Sequence, residues 1–111
     1  MTRLPMSPAA AALLRALVAR AGVRRDKILL TDAVSTDWRS LTFNGERHAL
    51  DLRIPAPDSR AIARRLCDGL EEAEFSIPGI VVADIIIAAT PQFALDGSTC
   101  LSVEALTISA D

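Results

Sequence analysis

Between Arg47 and Ile54 the chain reads RHALDLRI, so His48, Leu50, Leu52 and Ile54 fall on one side and Arg47, Ala49, Asp51 and Arg53 on the other. Successive side chains of extended backbone point in opposite directions, so a period of two marks a strand with one dry face. A slip of one residue would turn the whole apolar set toward water, which pins the register. Pro55 and Pro57 close the run, since proline cannot donate to a ladder. Upstream, Asn44-Gly45 separates this run from Leu41-Thr42-Phe43. A two-residue type I′ turn at Asn44-Gly45 would pair Phe43 with Glu46 and set Leu41 opposite His48.

The remaining elements follow from similar signals. Ser7-Pro8 starts a helix, with Ser as N-cap and Pro at the first helical position. Ala10, Leu13, Leu14, Leu17, Val18 and Ala21 share one face opposite Arg15, and Gly22 supplies the stop. Ile28 to Val34 reads as a short strand. Asp58 or Ser59 caps a second helix, whose buried stripe is Ile62, Leu66, Gly69, Leu70 and Ala73. Arg60, Arg64 and Arg65 gather toward its start and Asp68, Glu71 and Glu72 toward its end, the reverse of the macrodipole's preference. Neutralisation by neighbouring subunits would account for this order. So would the small cost of exposed charges. Ile80 to Ala89 is apolar on both alternating faces apart from Asp84, which predicts a central strand covered on both sides. Gln92 to Ser98, with Asp96-Gly97, reads as a turn or loop. Thr99 to Ser109 is the last strand, with Leu101, Val103 and Ala105 on one face. The expected architecture is a single α+β domain over residues 1–111. Two helices pack on one face of a four- to five-stranded antiparallel or mixed sheet, in the order α-β-β(-β)-α-β-β.

A chain of 111 residues supports one core, and a composition 50% hydrophobic and 23% charged excludes intrinsic disorder. Its mean hydropathy of +0.31 is more than so small a core readily hides. Abundant alanine explains part of it, and burial against other subunits would explain the rest. The longest apolar run, Gly79 to Ala89, is about half of the ~20 residues that span a bilayer. Arg15 and Arg20 interrupt the alanine-rich N-terminal segment, which predicts a helix of the mature protein and a cytoplasmic chain. Net charge is −2, and the cationic runs Arg24-Arg25-Asp26-Lys27 and Arg64-Arg65 are short, so no specific nucleic-acid partner is expected.

Residues for catalysis are sparse. A Ser-His-Asp set would have to be built around His48, the one histidine, which sits in strand register, and no GxSxG or CxxC context is present. Cys67 and Cys100 read as free thiols, and no metal or cofactor set is expected. Among carboxylates, Asp32, Asp37 and Asp84 are candidates for acid/base work. Asp84 would have a raised pKa if buried, or would sit at a sheet edge, bulge or subunit contact, satisfied there by an arginine. Trp38 is either an interface anchor or a core or lid residue.

The segment DAVSTDWRSLTFNGERHALDLRI is followed by the helix SRAIARRLCDGLEEA, then SIPGIVVADIIIA, a variable loop and the closing strand TCLSVEALTIS. This order resembles the small tail-completion (tail terminator) proteins of tailed phages, prophages and gene transfer agents, the alphaproteobacterial gene transfer agent versions above all. Asp37-Trp38, Gly45-Glu46 and Ile77-Pro78-Gly79 carry the resemblance, which runs from Ile28 to the C-terminus, with the N-terminal helix fitting in position. Many relatives have a further strand and a Pro-Tyr-type segment where this chain has only Val23 to Lys27. The strand over residues 47–54 also lacks the tryptophan often found near its end. The resemblance implies a non-enzymatic protein in a phage-like particle, six copies of which form a ring on the tail tube, the isolated chain being either a ring already or a monomer until it meets the tube. That ring stops tube polymerisation and joins the tail to the head-side connector. Candidate contact elements are Ser35–Gly45, with Asp37, Trp38 and Arg39, and Thr90–Ser98, with Phe93. The alternative is a small α+β ligand-binding or regulatory domain using Asp84 or the Phe93 loop.

Overall fold

Helix α1 (Pro8–Ala21) begins as its sequence predicts: in the computed structural model, which describes residues 6–110, Ser7 Oγ accepts from the Ala10 backbone N–H at 3.1 Å. Pro8 occupies the first turn, and Gly22 ends the helix with φ 70°. Ala10, Leu13, Leu17 and Ala21 form its buried stripe, with Leu14 and Val18 at the margin. A one-turn 3-10 helix, Arg25–Lys27, leads into strand β1 (Leu29–Arg39), which pairs antiparallel with β2 (Asn44–Ile54).

The hairpin turn lies three residues earlier than the Asn-Gly signal suggests. Asn44 pairs with Arg39 and Gly45 with Trp38, so both are strand residues, and the turn is built from Ser40 to Phe43. Ser40 explains the shift. Its Oγ accepts from the Thr42 N–H at 3.2 Å and the Phe43 N–H at 2.9 Å, satisfying donors that the ladder does not. The expected Phe43–Glu46 and Leu41–His48 neighbours give way to Asp37–Glu46 and Ser35–His48. The segment from Ile28 and the first arm of the hairpin thus form one continuous strand.

Helix α2 (Ser59–Cys67) follows β2, and then come β3 (Ile80–Ile87), a two-residue β4 (Gln92–Phe93) and β5 (Thr99–Ser109). The sheet runs β1-β2-β5-β3, antiparallel throughout, and β4 pairs with the start of β5. The protein is therefore α+β, with two helices and a five-stranded antiparallel sheet. The fifth strand falls in the Thr90–Ser98 segment, after β3, rather than before α2.

One face of the sheet is dry. His48, Leu50, Leu52 and Ile54 of β2 and Thr99, Leu101, Val103, Ala105 and Thr107 of β5 are all buried, as the alternation predicts. Leu13 and Leu17 of α1, Ile62 and Leu66 of α2, and Leu70 join them in one core. Each such leucine or isoleucine contributes roughly 1.5–3 kcal/mol, and this burial is the main term holding the layers together.

Two sequence expectations are corrected. First, β3 is an edge strand and not a central one. Of its side chains only Ile85 is buried, while Val81 and Ile86 are 52% and 37% exposed. An apolar run reads the same whether its second face is covered or simply left open. Second, α2 ends at Cys67, and Gly69 (φ 68°) redirects the chain into a separate 3-10 turn, Leu70–Glu72. Arg64 and Arg65 therefore occupy the last turn of α2, the end a macrodipole favours for cations, and Glu71 and Glu72 lie outside the helix. The Arg20 guanidinium reaches across from α1 to donate to the Leu66 carbonyl at 3.2 Å and to the Asp68 carbonyl. Both edge strands are also irregular, with a register shift between Leu30 and Asp32 in β1 and between Val82 and Asp84 in β3.

Candidate functional site

The feature that stands out is the sheet face turned away from the helices. From the hairpin end, strand register sets rows across it: Trp38, Gly45, Ile108, Val81; then Thr36, Arg47, Leu106, Asp84; then Val34, Ala49, Glu104, Ile86; and beyond them the polar Asp32, Asp51 and Ser102, then Arg53 and Cys100. Both helices bury their stripes against the opposite face, so nothing in the described chain covers these rows. Val34 is 54% exposed and Phe43, in the adjoining turn, 50%. Phe43, Val81 and Ile108 border a shallow hollow of about 510 Å³. A second hollow of about 270 Å³ is bordered by Val34, Thr36, Arg47, Asp84, Ile86 and Glu104.

The residues singled out from sequence divide between distant places. Asp37 and Arg39 are exposed and Trp38 half-buried at the end of β1, with Trp38 on the open face. Phe93 is 56% exposed on β4 and pairs with Thr99, whose side chain is buried on the helix side. The guanidinium carbon of Arg60 stands 4.2 Å from the centre of the Phe93 ring, a cation–π contact from α2. Gly45 and Ile54, the β2 positions nearest Trp38 and Phe93, lie nine residues apart, roughly 30 Å along a strand. Trp38 and Phe93 therefore belong to different surfaces. Asp84 is exposed on the edge strand beside the bulge, and among the described residues no arginine stands within ion-pair distance of it.

His48 is buried and held from both sides. Its Nδ1 is 2.8 Å from Ser35 Oγ and its Nε2 2.8 Å from Thr107 Oγ1. Burial pushes its pKa down, with the Glu46 carboxylate pulling weakly the other way. The group beyond the ring is a threonine hydroxyl, where an acyl-transfer triad would use a carboxylate to orient the imidazole and stabilise its charge. Among the described residues no three His, Cys, Asp or Glu side chains converge as a metal site would need. Cys67 and Cys100 are free thiols, and burial, helped by the neighbouring Asp68, pushes the Cys67 thiol up.

A second surface was hidden in the sequence. The Gly22–Lys27 connection, the Pro55–Asp58 turn and α2 enclose a cleft of about 600 Å³ bordered by Arg24, Lys27, Arg64 and Arg65. Its two cationic runs are each too short to draw notice, and only the packing of the connection against α2 brings them together. Among the described residues no helix is long and apolar enough to cross a membrane. No protein-family model matches the chain, and no curated protein matches it either.

Proposed function

We propose that this chain is a structural assembly subunit of the tail-completion kind, which forms a ring on a tail tube and joins it to the connector on the head side. The observation that carries the reading is the mismatch in β3. Apart from Asp84 its residues are apolar on both faces, yet the chain covers only one of them. A partner laid on the open face would remove Val34, Phe43, Val81 and Ile86 from water, each contributing roughly 1 kcal/mol. Exposed apolar areas of this kind mark protein contact surfaces, and Arg47, Asp84 and Glu104, set among the apolar side chains, supply charges that a partner would match. Trp38 at the corner of the same face is the residue type most enriched at interface centres. Copies that meet head to tail through such a face close into a ring when the rotation per subunit divides the circle.

Sedimentation over a range of concentrations tests this directly. The wild-type chain should associate, and Val81→Asp and Trp38→Ala should each weaken association at least tenfold while leaving a folded monomer. Added to the tail-tube protein of the same genome, the wild type should limit tube length in electron micrographs. A strict monomer that leaves tubes unaffected and binds a small molecule beside Asp84 or Phe93 would instead establish the ligand-binding alternative.

A further inference from the structure

The basic cleft has a counterpart on the same molecule. Asp68, Glu71, Glu72 and Glu74 fall within seven residues and are all exposed. Among the described residues none of them ion-pairs with a cation, and of the cations bordering the cleft only Arg24 has an ionic partner, Asp26 at 3.5 Å. Asp58 is the single acid on the cleft wall. Asp68 adjoins the cleft, its N–H donating to the Arg64 carbonyl at 2.9 Å, but the glutamates run on from it toward the far edge of the sheet. Lys27 at the cleft leads directly into edge strand β1, whereas the Glu71 carboxylate accepts from the Ile87 N–H at the end of edge strand β3, at 3.4 Å.

We infer that the acidic turn Glu71–Glu74 of one copy docks in the basic cleft of the next copy, making the charged half of a head-to-tail contact. Lys27 stands before β1 and Glu71 at the end of β3, on opposite edges, so these charges do not meet within one chain, and they complement each other when copies follow one another in the same sense. Such a contact is heterologous, the kind that generates rings. The cleft suits a peptide segment better than a lone anion, because Val23, Pro55, Pro57 and Ile62 give it an apolar floor beneath the cationic rim. Charge pairs of this kind set register and speed encounter more than they add affinity. This inference rests on the ring-forming reading and adds the partner segment to it.

The experiment reverses charge on each side separately. Arg64→Glu/Arg65→Glu alters the cleft and Glu72→Arg/Glu74→Arg the turn, all at exposed positions. Circular dichroism confirms folding, and Arg64→Gln/Arg65→Gln replaces the first variant if reversal disturbs it. Each variant alone should lose at least tenfold in association by sedimentation. Their equimolar mixture should recover it, because the reversed surfaces complement each other again. Variants that associate like the wild type overturn the inference and leave the ring reading standing, whereas a wild type that stays monomeric at every concentration and leaves tube length unchanged overturns both. Retention of a DNA duplex by the wild type, lost in the cleft variant while self-association persists, assigns the cleft to nucleic acid and likewise overturns it.

Discussion

A Cβ at Gly45 would run into the backbone carbonyl of Thr107 on the neighbouring strand. Gly45 is not among the glycines with positive φ, so its lack of a side chain serves close approach and not an unusual dihedral. Gly45→Ala should therefore cost roughly 1–3 kcal/mol, the range for forcing bulk into a packed site. Chemical denaturation should show a lower midpoint with an unchanged slope.

His48 makes stability depend on pH. Burial favours the neutral ring, so its folded pKa lies below the ordinary 6.5 and the unfolded chain binds the proton more tightly. Stability from this group is fully present above about pH 6.5 and is lost as pH falls toward the folded value. Thermal unfolding between pH 7.5 and 5 should show this decline, and a His48→Gln variant should flatten it. His48→Ala should lower stability, because Thr107 Oγ1, buried beside it, loses its partner.

Asp96 titrates in a lower window. Side-chain and backbone hydrogen bonds from Ser98, helped by Arg53, hold its carboxyl down to about 2 from the usual 3.8. Because the folded value is the lower one, its contribution is present above pH 3.8 and disappears as pH falls toward 2. Asp96→Asn should loosen the β4–β5 turn, and hydrogen exchange at the Ser98 amide should rise at neutral pH.

The thiols should separate cleanly by reactivity. Cys100 is exposed on the open sheet face, whereas Cys67 is half-buried with its pKa pushed up. A maleimide should label Cys100 at least tenfold faster, since the thiolate is the nucleophile. In an assembled ring, slower labelling of Cys100 would report directly that this face has been covered.

Core and open-face substitutions should also part company. Leu52→Ala or Leu66→Ala, at fully buried positions, should cost about 2–5 kcal/mol. Ile86→Ala should cost under about 1 kcal/mol in the monomer, because its methyl groups already meet water. Its effect belongs in the association measurement.

The legible parts of the sequence were those governed by local chemistry. Ser7, Pro8 and Gly22 fixed α1 through capping, and the alternation from His48 to Ile54 fixed which face of β2 is dry. Pairings that depend on distant chain were not legible. The Asn44-Gly45 signal was overridden because Ser40 builds its own turn and Thr107 needs Gly45 in the ladder. The place of β3 in the sheet depends on β5 inserting beside β2, which no local pattern encodes. At the candidate surfaces, Trp38 was visible as a residue type, but its row with Ile108 and Val81 exists only once register is set. The basic cleft was invisible for the same reason.

The two edge irregularities carry a final consequence. Each outermost strand breaks its ladder beside an aspartate, Asp32 on one flank and Asp84 on the other. Bent, charged flanks of this sort discourage zipping of one sheet onto another by main-chain hydrogen bonds, the route to unlimited fibrils. Under the proposed ring reading, recognition between copies would fall to side chains, and these can dictate an angle. In such a ring, a fixed angle is what would let growth stop after a set number of members.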